Sequence, residues 1–98
     1  MSDITIYQNW TDEVWIDHGY EKNLVHCLLG LQTELGELAD IYKKAKFTPN
    51  RPVDTSREHL VEEIGDVLFY LTRYAQEQDI SMADVIKTNV TKLENRYG

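Results

Sequence analysis

The sequence predicts an all-α fold, a bundle of about four helices in a single domain over residues 1–98. Apolar side chains recur every three or four positions through most of the chain, which is the spacing of one face of a helix. Turn and loop residues interrupt this periodicity around residues 17–19, 47–55 and 78–80, so it divides into four segments. A chain of 98 residues forms one domain and can bury a modest core.

The first predicted helix runs from about residue 6 to residue 16, after a short N-terminal tail. Thr5 and Gln8 have the spacing of a capping box, in which each side chain hydrogen-bonds the backbone of the other residue. Trp10 and Trp15 are expected either in the core or as stacking residues for a nucleotide base. The apolar residues of this helix fall mostly on one side: Tyr7, Trp10 and Val14.

The second predicted helix covers residues 20–46. Cys27 lies in its apolar run and is the only cysteine, so we expect a small core residue rather than a nucleophile or a disulfide partner. His26 is expected to be a partly buried polar residue, with a contact to a base as the alternative. The apolar stripe of this helix follows helical spacing: Leu24, Leu28, Leu31, Leu35, Leu38, Tyr42 and Ala45.

A loop of residues 47–55 leads to the third predicted helix, residues 57–78, which begins with a Thr55-x-x-Glu58 capping box. Residues 67–71 are apolar almost all the way round this helix, and a monomer of this size cannot bury every side. We therefore expect a homodimer, which could pair further into a dimer of dimers. The residues available to cap the helix are neighbours in sequence: Asp54, Thr55 and Ser56.

The last predicted helix covers residues 82–96, and Ser81 with Asp84 caps its start. Its apolar side is formed by Met82, Ile86, Val90 and Leu93. Its opposite side carries a polar stripe, which is usually a solvated face but also supplies the cations and the amide that bind a phosphate tail. This stripe consists of Asn89, Lys92 and Arg96.

One short acidic pattern occurs twice, as Glu34-Leu35-Gly36-Glu37 and as Glu63-Ile64-Gly65-Asp66. Residues three apart share one face of a helix, about 5–6 Å apart at Cβ. Two such helices packed antiparallel could bring four carboxylates together. The glycine inside each copy costs about 1 kcal/mol of helix stability relative to alanine, and it lets a backbone or a ligand approach closely.

Four carboxylates in one place repel each other unless a cation lies among them. Ligand sets made only of oxygen suit hard cations such as Mg²⁺ or Mn²⁺. A single acid pair on a helix is usually solvated surface, but two matched copies in apolar-rich helices favour a metal site. The sequence therefore predicts that Glu34, Glu37, Glu63 and Asp66 hold a divalent cation.

With these motifs in place, residues 20–97 resemble the MazG-like nucleoside triphosphate pyrophosphohydrolases. The resemblance depends on Glu34-x-x-Glu37 followed by Glu63-x-x-Asp66, on the Glu-Leu-Gly-Glu-Leu and Glu-Glu-Ile-Gly-Asp-Val settings of the pairs, and on the closing Lys-Leu-Glu-Asn-Arg-Tyr. It implies a Mg²⁺-dependent enzyme that hydrolyses an NTP or dNTP to the monophosphate and pyrophosphate. It also implies α-helical dimers or dimers of dimers, with sites made between subunits.

The resemblance further implies roles for individual residues. The four acids would be both the metal ligands and the catalytic residues, and Glu34 or Glu37 would also orient the attacking water. The phosphate-binding residues of the family's last helix match Asn89 and Lys92 of this chain. In a related dCTP-hydrolysing branch, a tyrosine one turn after the final Asp faces the nucleoside, and Tyr70 occupies that position. Glu62 has no counterpart in the four-acid motif.

Two cationic residues outside the last helix are further candidates for contacts to the phosphates. Lys44 lies seven residues after Glu37 on the same helix face, although lysines here also complement the helix dipole. Arg51 in the loop is expected to be either solvated or a phosphate contact. Lys92, Arg96 and Lys44 together are expected to steady the leaving pyrophosphate.

The bulk composition excludes several classes of function. The net charge of −7 argues against general binding of nucleic acids or anionic membranes. The N-terminus lacks the basic and apolar regions of a secretory signal, and no apolar stretch is long enough to span a membrane. A cytoplasmic protein whose partners are a nucleoside triphosphate and a second copy of itself is therefore expected.

Two other functions are alternatives to the pyrophosphohydrolase. A ferritin-like di-iron bundle needs Glu-x-x-His on two helices, and the residues three before His18, His26 and His59 are Trp15, Asn23 and Ser56. The alternative that stays open is a non-enzymatic acidic helical module for interaction or regulation, whose acids would bind a basic partner. Such a module would show no Mg²⁺-dependent thermal stabilisation and no nucleotide turnover, whereas the enzyme would show both.

Overall fold

A computed structural model describes residues 2–48 and 50–98 of the chain. Met1, in the predicted tail, and Pro49, in the predicted loop, lie outside the described residues. The described chain is all-α, as predicted. Its four helices are α1 (Asp3–Val14), α2 (Tyr20–Phe47), α3 (Arg57–Glu77) and α4 (Met82–Tyr97).

Hydroxyl caps fix the start of three helices. The side chain of Ser81 accepts from the backbone N–H of Asp84 at the start of α4, as the sequence predicts. At the start of α3 the cap is Ser56, which accepts from the backbone N–H of His59. Ser56 is one of the three residues available to cap this helix, but the predicted Thr55-x-x-Glu58 capping box is wrong, because the cap lies one residue later. The predicted start of α1 is wrong. Ser2 is its cap and accepts from the backbone N–H of Thr5, so the helix begins three residues earlier than the predicted capping box placed it.

The helices α2 and α3 form an antiparallel hairpin, and most of the tertiary contacts lie between them. Near one end of the hairpin Asn23 on α2 donates to Glu77 on α3 at 3.1 Å. Towards the other end His59 and Glu63 on α3 line a cavity together with residues from the C-terminal half of α2. The acid pairs lie between these two ends on both helices.

The helix α1 packs across the C-terminal half of α3 through a buried polar network. Arg73 is almost fully buried, and its guanidinium donates to Thr11 at 3.2 Å and pairs with the carboxylate of Asp12. The same guanidinium lies 5.0 Å from the ring centre of Trp15. Gln76 donates to both carboxylate oxygens of Asp12, which fixes α1 along α3.

The helix α4 packs mainly against α1 rather than against the hairpin. Its backbone N–H at Met82 donates to the side-chain oxygen of Gln8 at 2.8 Å. Beyond this first turn, residues 84–98 are all exposed, including most of the apolar side of the helix. Within the described residues only four apolar side chains are buried: Cys27, Ile41, Ala75 and Met82.

Cys27 is fully buried, in agreement with the expected small core residue. Burial, followed by the negative charge of Glu77, raises the pKa of its thiol to about 11. A thiol with so high a pKa stays protonated at neutral pH and is a poor nucleophile.

Candidate functional site

The hairpin brings three of the four predicted metal ligands together. One carboxylate oxygen from each of Glu34, Glu37 and Glu63 lies within 4.8 Å of the other two. Glu34 and Glu37 are three residues apart on α2, so their side chains leave the same face of that helix. Because α3 runs antiparallel to α2, Glu63 faces this pair across the hairpin. We call these three residues the acid cluster.

Asp66, the fourth predicted ligand, lies at the margin of the acid cluster. Its side chain is exposed, and its oxygens are outside the group of three that meet within 4.8 Å. Its charge nevertheless acts on the cluster, because it is among the causes that raise the pKa of Glu34.

Two carboxylate oxygens of the acid cluster lie in an environment that favours a bound cation. Oε2 of Glu34 and Oε2 of Glu63 are buried, and neither has a hydrogen-bond partner among the described residues. Burial, followed by the charges of Glu37, Asp66 and Glu63, raises the pKa of Glu34 above its usual value. A buried, unpartnered carboxylate oxygen costs free energy, and a hard divalent cation removes that cost by binding it. The residues present therefore fit a Mg²⁺ or Mn²⁺ ion.

A polar cavity of about 420 Å³ opens beside the acid cluster, and Glu37 and Glu63 form part of its wall. The rest of the wall comes from the last turns of α2, from the loop and from His59 in the first turn of α3. Lys44, a predicted phosphate contact, lies in this cavity, and its ammonium is 2.8 Å from the carboxylate of Asp40. Lys44 thus lies next to the acid cluster, and its contact with phosphates stays a prediction.

Tyr70, the predicted nucleoside contact, lies on the opposite side of the acid cluster from this cavity. Its ring packs flat on the backbone of α2 at Gly30, where an added methyl group would lie 2.5 Å from a ring carbon. Its ring centre is 5.6 Å from that of His26 and 5.5 Å from that of Phe69. Gly30 is one turn before Glu34, and Tyr70 is one turn after Asp66, so these rings begin one helical turn from the acids. We call this group of rings the aromatic cluster: Trp10, Trp15, His26, Phe69 and Tyr70.

The two tryptophans belong to this aromatic cluster. The ring centre of Trp15 is 4.9 Å from that of His26, and the ring centre of Trp10 is 6.5 Å from that of Phe69. The indole N–H of Trp15 is buried, with no acceptor among the described residues. Trp15 is half-buried, whereas Trp10 is exposed, so within one chain Trp10 is not a core residue. Base stacking by either tryptophan stays a prediction.

Within one chain the polar stripe of α4 does not meet the acid cluster. Asn89 and Lys92 line a separate cavity of about 350 Å³, whose other lining residues come from α4 and from Ile80. The guanidinium of Arg96 lies over the ring of its neighbour Tyr97 at 5.9 Å. Arg51 and Glu62 are exposed.

The sequence-based reasoning missed two residues near the acids. His59 lies one turn before Glu63 on α3, and its Nε2 is 3.9 Å from Oε1 of that glutamate. The four-residue spacing was available in the sequence and could have identified it. Tyr7 on α1 has a pKa raised by burial and by the charge of Asp66, which places it near the exposed acid. No local signal predicts that contact, because it depends on how α1 crosses α3.

Comparison with known proteins identifies the family. Residues 22–98 match the model of the MazG nucleotide pyrophosphohydrolase domain, so the match covers α2, α3 and α4 with both acid pairs. The chain belongs to the MazG family. The resemblance found in the sequence motifs is thereby confirmed.

This MazG chain is similar to two curated proteins. It is 30% identical over 76 residues to the Gene 37 protein of Mycobacterium phage L5, which covers 76% of this chain and 67% of the relative. It is 27% identical over 97 residues to the Uncharacterized protein YvdC of Bacillus subtilis (strain 168), which covers 92% of both proteins. No solved structure matches the chain significantly. No helix among the described residues is both long enough and apolar enough to cross a membrane.

Proposed function

We propose that this MazG chain is a Mg²⁺-dependent pyrophosphohydrolase that converts an NTP or dNTP to the monophosphate and pyrophosphate, with Mn²⁺ as a possible substitute. The observation that carries the proposal is the acid cluster, in which three carboxylate oxygens lie within 4.8 Å and two buried oxygens have no partner among the described residues. Removal of surplus nucleotides from the cellular pool is the role that fits such an activity.

The residues of the acid cluster have defined tasks in this reaction. Glu34, Glu37 and Glu63 would hold the cation, and Asp66 would complete the set from the margin. When bound, Mg²⁺ neutralises phosphate oxygens and lowers the pKa of a coordinated water. Glu34 or Glu37 orients the attacking water and accepts its proton. The water oxygen forms the new bond to phosphorus, the α–β bridging P–O bond breaks, and pyrophosphate leaves.

The groups that bind the rest of the substrate lie on both sides of the acid cluster. Lys44, in the cavity beside Glu37 and Glu63, would contact the phosphates, and Tyr70 in the aromatic cluster would contact the nucleoside. Asn89, Lys92 and Arg96 would contact the phosphates from a second copy of the chain, because within one chain Asn89 and Lys92 line a cavity that contains none of the acid cluster. The proposed enzyme is therefore a homodimer with shared sites, which could pair into a dimer of dimers.

The test is a panel of NTPs and dNTPs with Mg²⁺, scored for release of pyrophosphate and of single phosphate. The wild-type chain should release pyrophosphate, and Glu37→Ala or Asp66→Ala should lower that rate by about 100-fold or more, since each removes a metal ligand. Glu62→Ala is the matched control, because Glu62 is an exposed acid next to the second pair. Its activity should stay within about twofold of wild type.

Three results would reject the proposal: full activity in both ligand variants, release of single phosphates only, or no turnover of any nucleotide. The last result, combined with no thermal stabilisation by Mg²⁺, would favour the acidic interaction module instead. Helix content measured by circular dichroism should be the same in all variants, so that a loss of activity reports on the site.

A further inference from the structure

One side chain outside the predicted motif faces an acid of the cluster directly. Nε2 of His59 lies 3.9 Å from Oε1 of Glu63, and the two residues are one turn apart on the same face of α3. The side chain of His59 is 30% exposed and that of Glu63 is 13% exposed. This separation is about 1 Å longer than a hydrogen bond, so the pair needs a small side-chain movement to form one.

The backbone of His59 is held in place by the cap of α3. Its N–H donates to the side chain of Ser56 at 3.2 Å, which fixes the first turn of the helix. Its ring forms part of the wall of the cavity beside Glu37 and Glu63. The backbone of His59 is thus fixed, and its side chain lies next to Glu63 at the wall of this cavity.

The two oxygens of Glu63 have different environments. Oε2 is buried and has no partner among the described residues, whereas Oε1 is the oxygen next to His59. A carboxylate that binds a cation through one oxygen is oriented by a hydrogen bond to the other. An imidazole with its proton on Nε2 donates that hydrogen bond whether it is neutral or charged.

We propose that His59 is a positioning residue for Glu63: its Nε2–H donates to Oε1 and so directs Oε2 towards Glu34, Glu37 and the cation between them. This inference rests on the proposed metal centre. In this role His59 acts on the cation through Glu63. Removal of such an outer hydrogen-bond partner typically weakens metal binding by about 10- to 100-fold.

Calorimetric titration of Mn²⁺ into the whole chain, without nucleotide, tests the proposal directly. His59→Leu and His59→Ala remove the donor, and each should weaken Mn²⁺ binding by about tenfold or more. His59→Gln keeps a side-chain N–H and should stay within about threefold of wild type. His18→Leu removes an exposed histidine from the turn before α2 and should leave Mn²⁺ affinity unchanged. Thermal melting in EDTA should give similar midpoints for the wild-type chain and all four variants. A difference in Mn²⁺ affinity then does not come from a difference in the stability of the fold.

Wild-type Mn²⁺ affinity in His59→Leu or His59→Ala would overturn the role of His59 while leaving the metal centre intact. An equal loss in His59→Gln would also overturn it, because the donor would then be irrelevant. Failure of the wild-type chain to take up Mn²⁺ would remove the proposed function, and the role of His59 with it. The measurement therefore separates a failure of this inference from a failure of the proposed function.

Discussion

Glu34 shows how a candidate metal ligand opposes the stability of its own fold. Its pKa is raised by burial and by the neighbouring acids, so the ionised form destabilises the folded chain when no cation is present. We predict that Glu34→Gln raises the melting midpoint in EDTA at pH 7 and abolishes Mn²⁺ binding. The gain should be present above the raised pKa of Glu34 and should vanish below about pH 4, where the wild-type side chain is neutral in both states.

Thermal denaturation across this pH range, followed by circular dichroism, measures the effect. Glu62→Gln is the control, since Glu62 is exposed and its substitution should move the midpoint little at any pH. A lower midpoint for Glu34→Gln in EDTA at pH 7 would contradict the electrostatic account of the acid cluster.

Single residues also mark the limit of sequence-based prediction. Spacing alone identified Glu34, Glu37 and Glu63, because carboxylates three apart on a helix share a face wherever that helix packs. It gave no indication that Arg73 is buried, since that burial depends on Asp12 and Trp15 of another helix. The aromatic cluster depends on the same helix crossing. So does the position of Tyr7, whose pKa is raised by burial and by the charge of Asp66. Apolar periodicity identifies the faces of a single helix, but it does not show how two helices cross each other.

At the scale of the helices, prediction succeeded where apolar periodicity and caps coincide. The starts of the three long helices were predicted correctly, at residues 20, 57 and 82, and their ends to within one residue. The first helix was placed about three residues too late, because two hydroxyl residues in the tail each offer a plausible cap. The structure settles this in favour of Ser2, which gives α1 its full first turn.

The close packing of α2 on α3 depends on Gly30, where the ring of Tyr70 takes the place of a side chain. We predict that Gly30→Ala destabilises the fold by up to about 2 kcal/mol. Alanine gains about 1 kcal/mol of helix propensity, but overpacking costs about 1–3 kcal/mol when a ring is trapped. Tyr70 is trapped because the rings of His26 and Phe69 flank it. Urea denaturation gives the free energy of unfolding for comparison.

Gly36→Ala is the matched control on the same helix, because nothing lies within 4 Å of the added methyl group. It should stabilise the fold by up to about 1 kcal/mol through helix propensity alone. Gly65 is equally open. Within one chain, therefore, no other group comes close to the glycine of either acidic pattern, although the sequence suggested that these glycines let a backbone or a ligand approach. Stabilisation by both Gly30→Ala and Gly36→Ala would show that the Tyr70 ring is free to move.

The whole molecule is more open than a compact domain of its length. Its radius of gyration is 16.2 Å, compared with roughly 13 Å for a compact chain of about 100 residues. The helix α4 packs mainly on α1, and much of its apolar side is uncovered: Val85, Ile86, Val90, Leu93 and Tyr97. The helices α1 and α3 also expose apolar stripes, including Trp10, Val14 and Leu71. Burial of such stripes is the usual driving force for association of identical chains.

Complementation between two inactive variants tests whether the sites are shared across a dimer. Glu37→Ala removes a carboxylate of the acid cluster, and Lys92→Ala removes a cation of the α4 stripe, which within one chain lines a cavity without the acid cluster. If each site combines the acids of one copy with the α4 stripe of the other, a mixed dimer contains one intact site. Refolding the two variants together in equal amounts should then restore roughly one quarter of wild-type pyrophosphate release, since half of randomly paired dimers are mixed. Each variant refolded alone should stay inactive, and no recovery on mixing would place each site within a single chain.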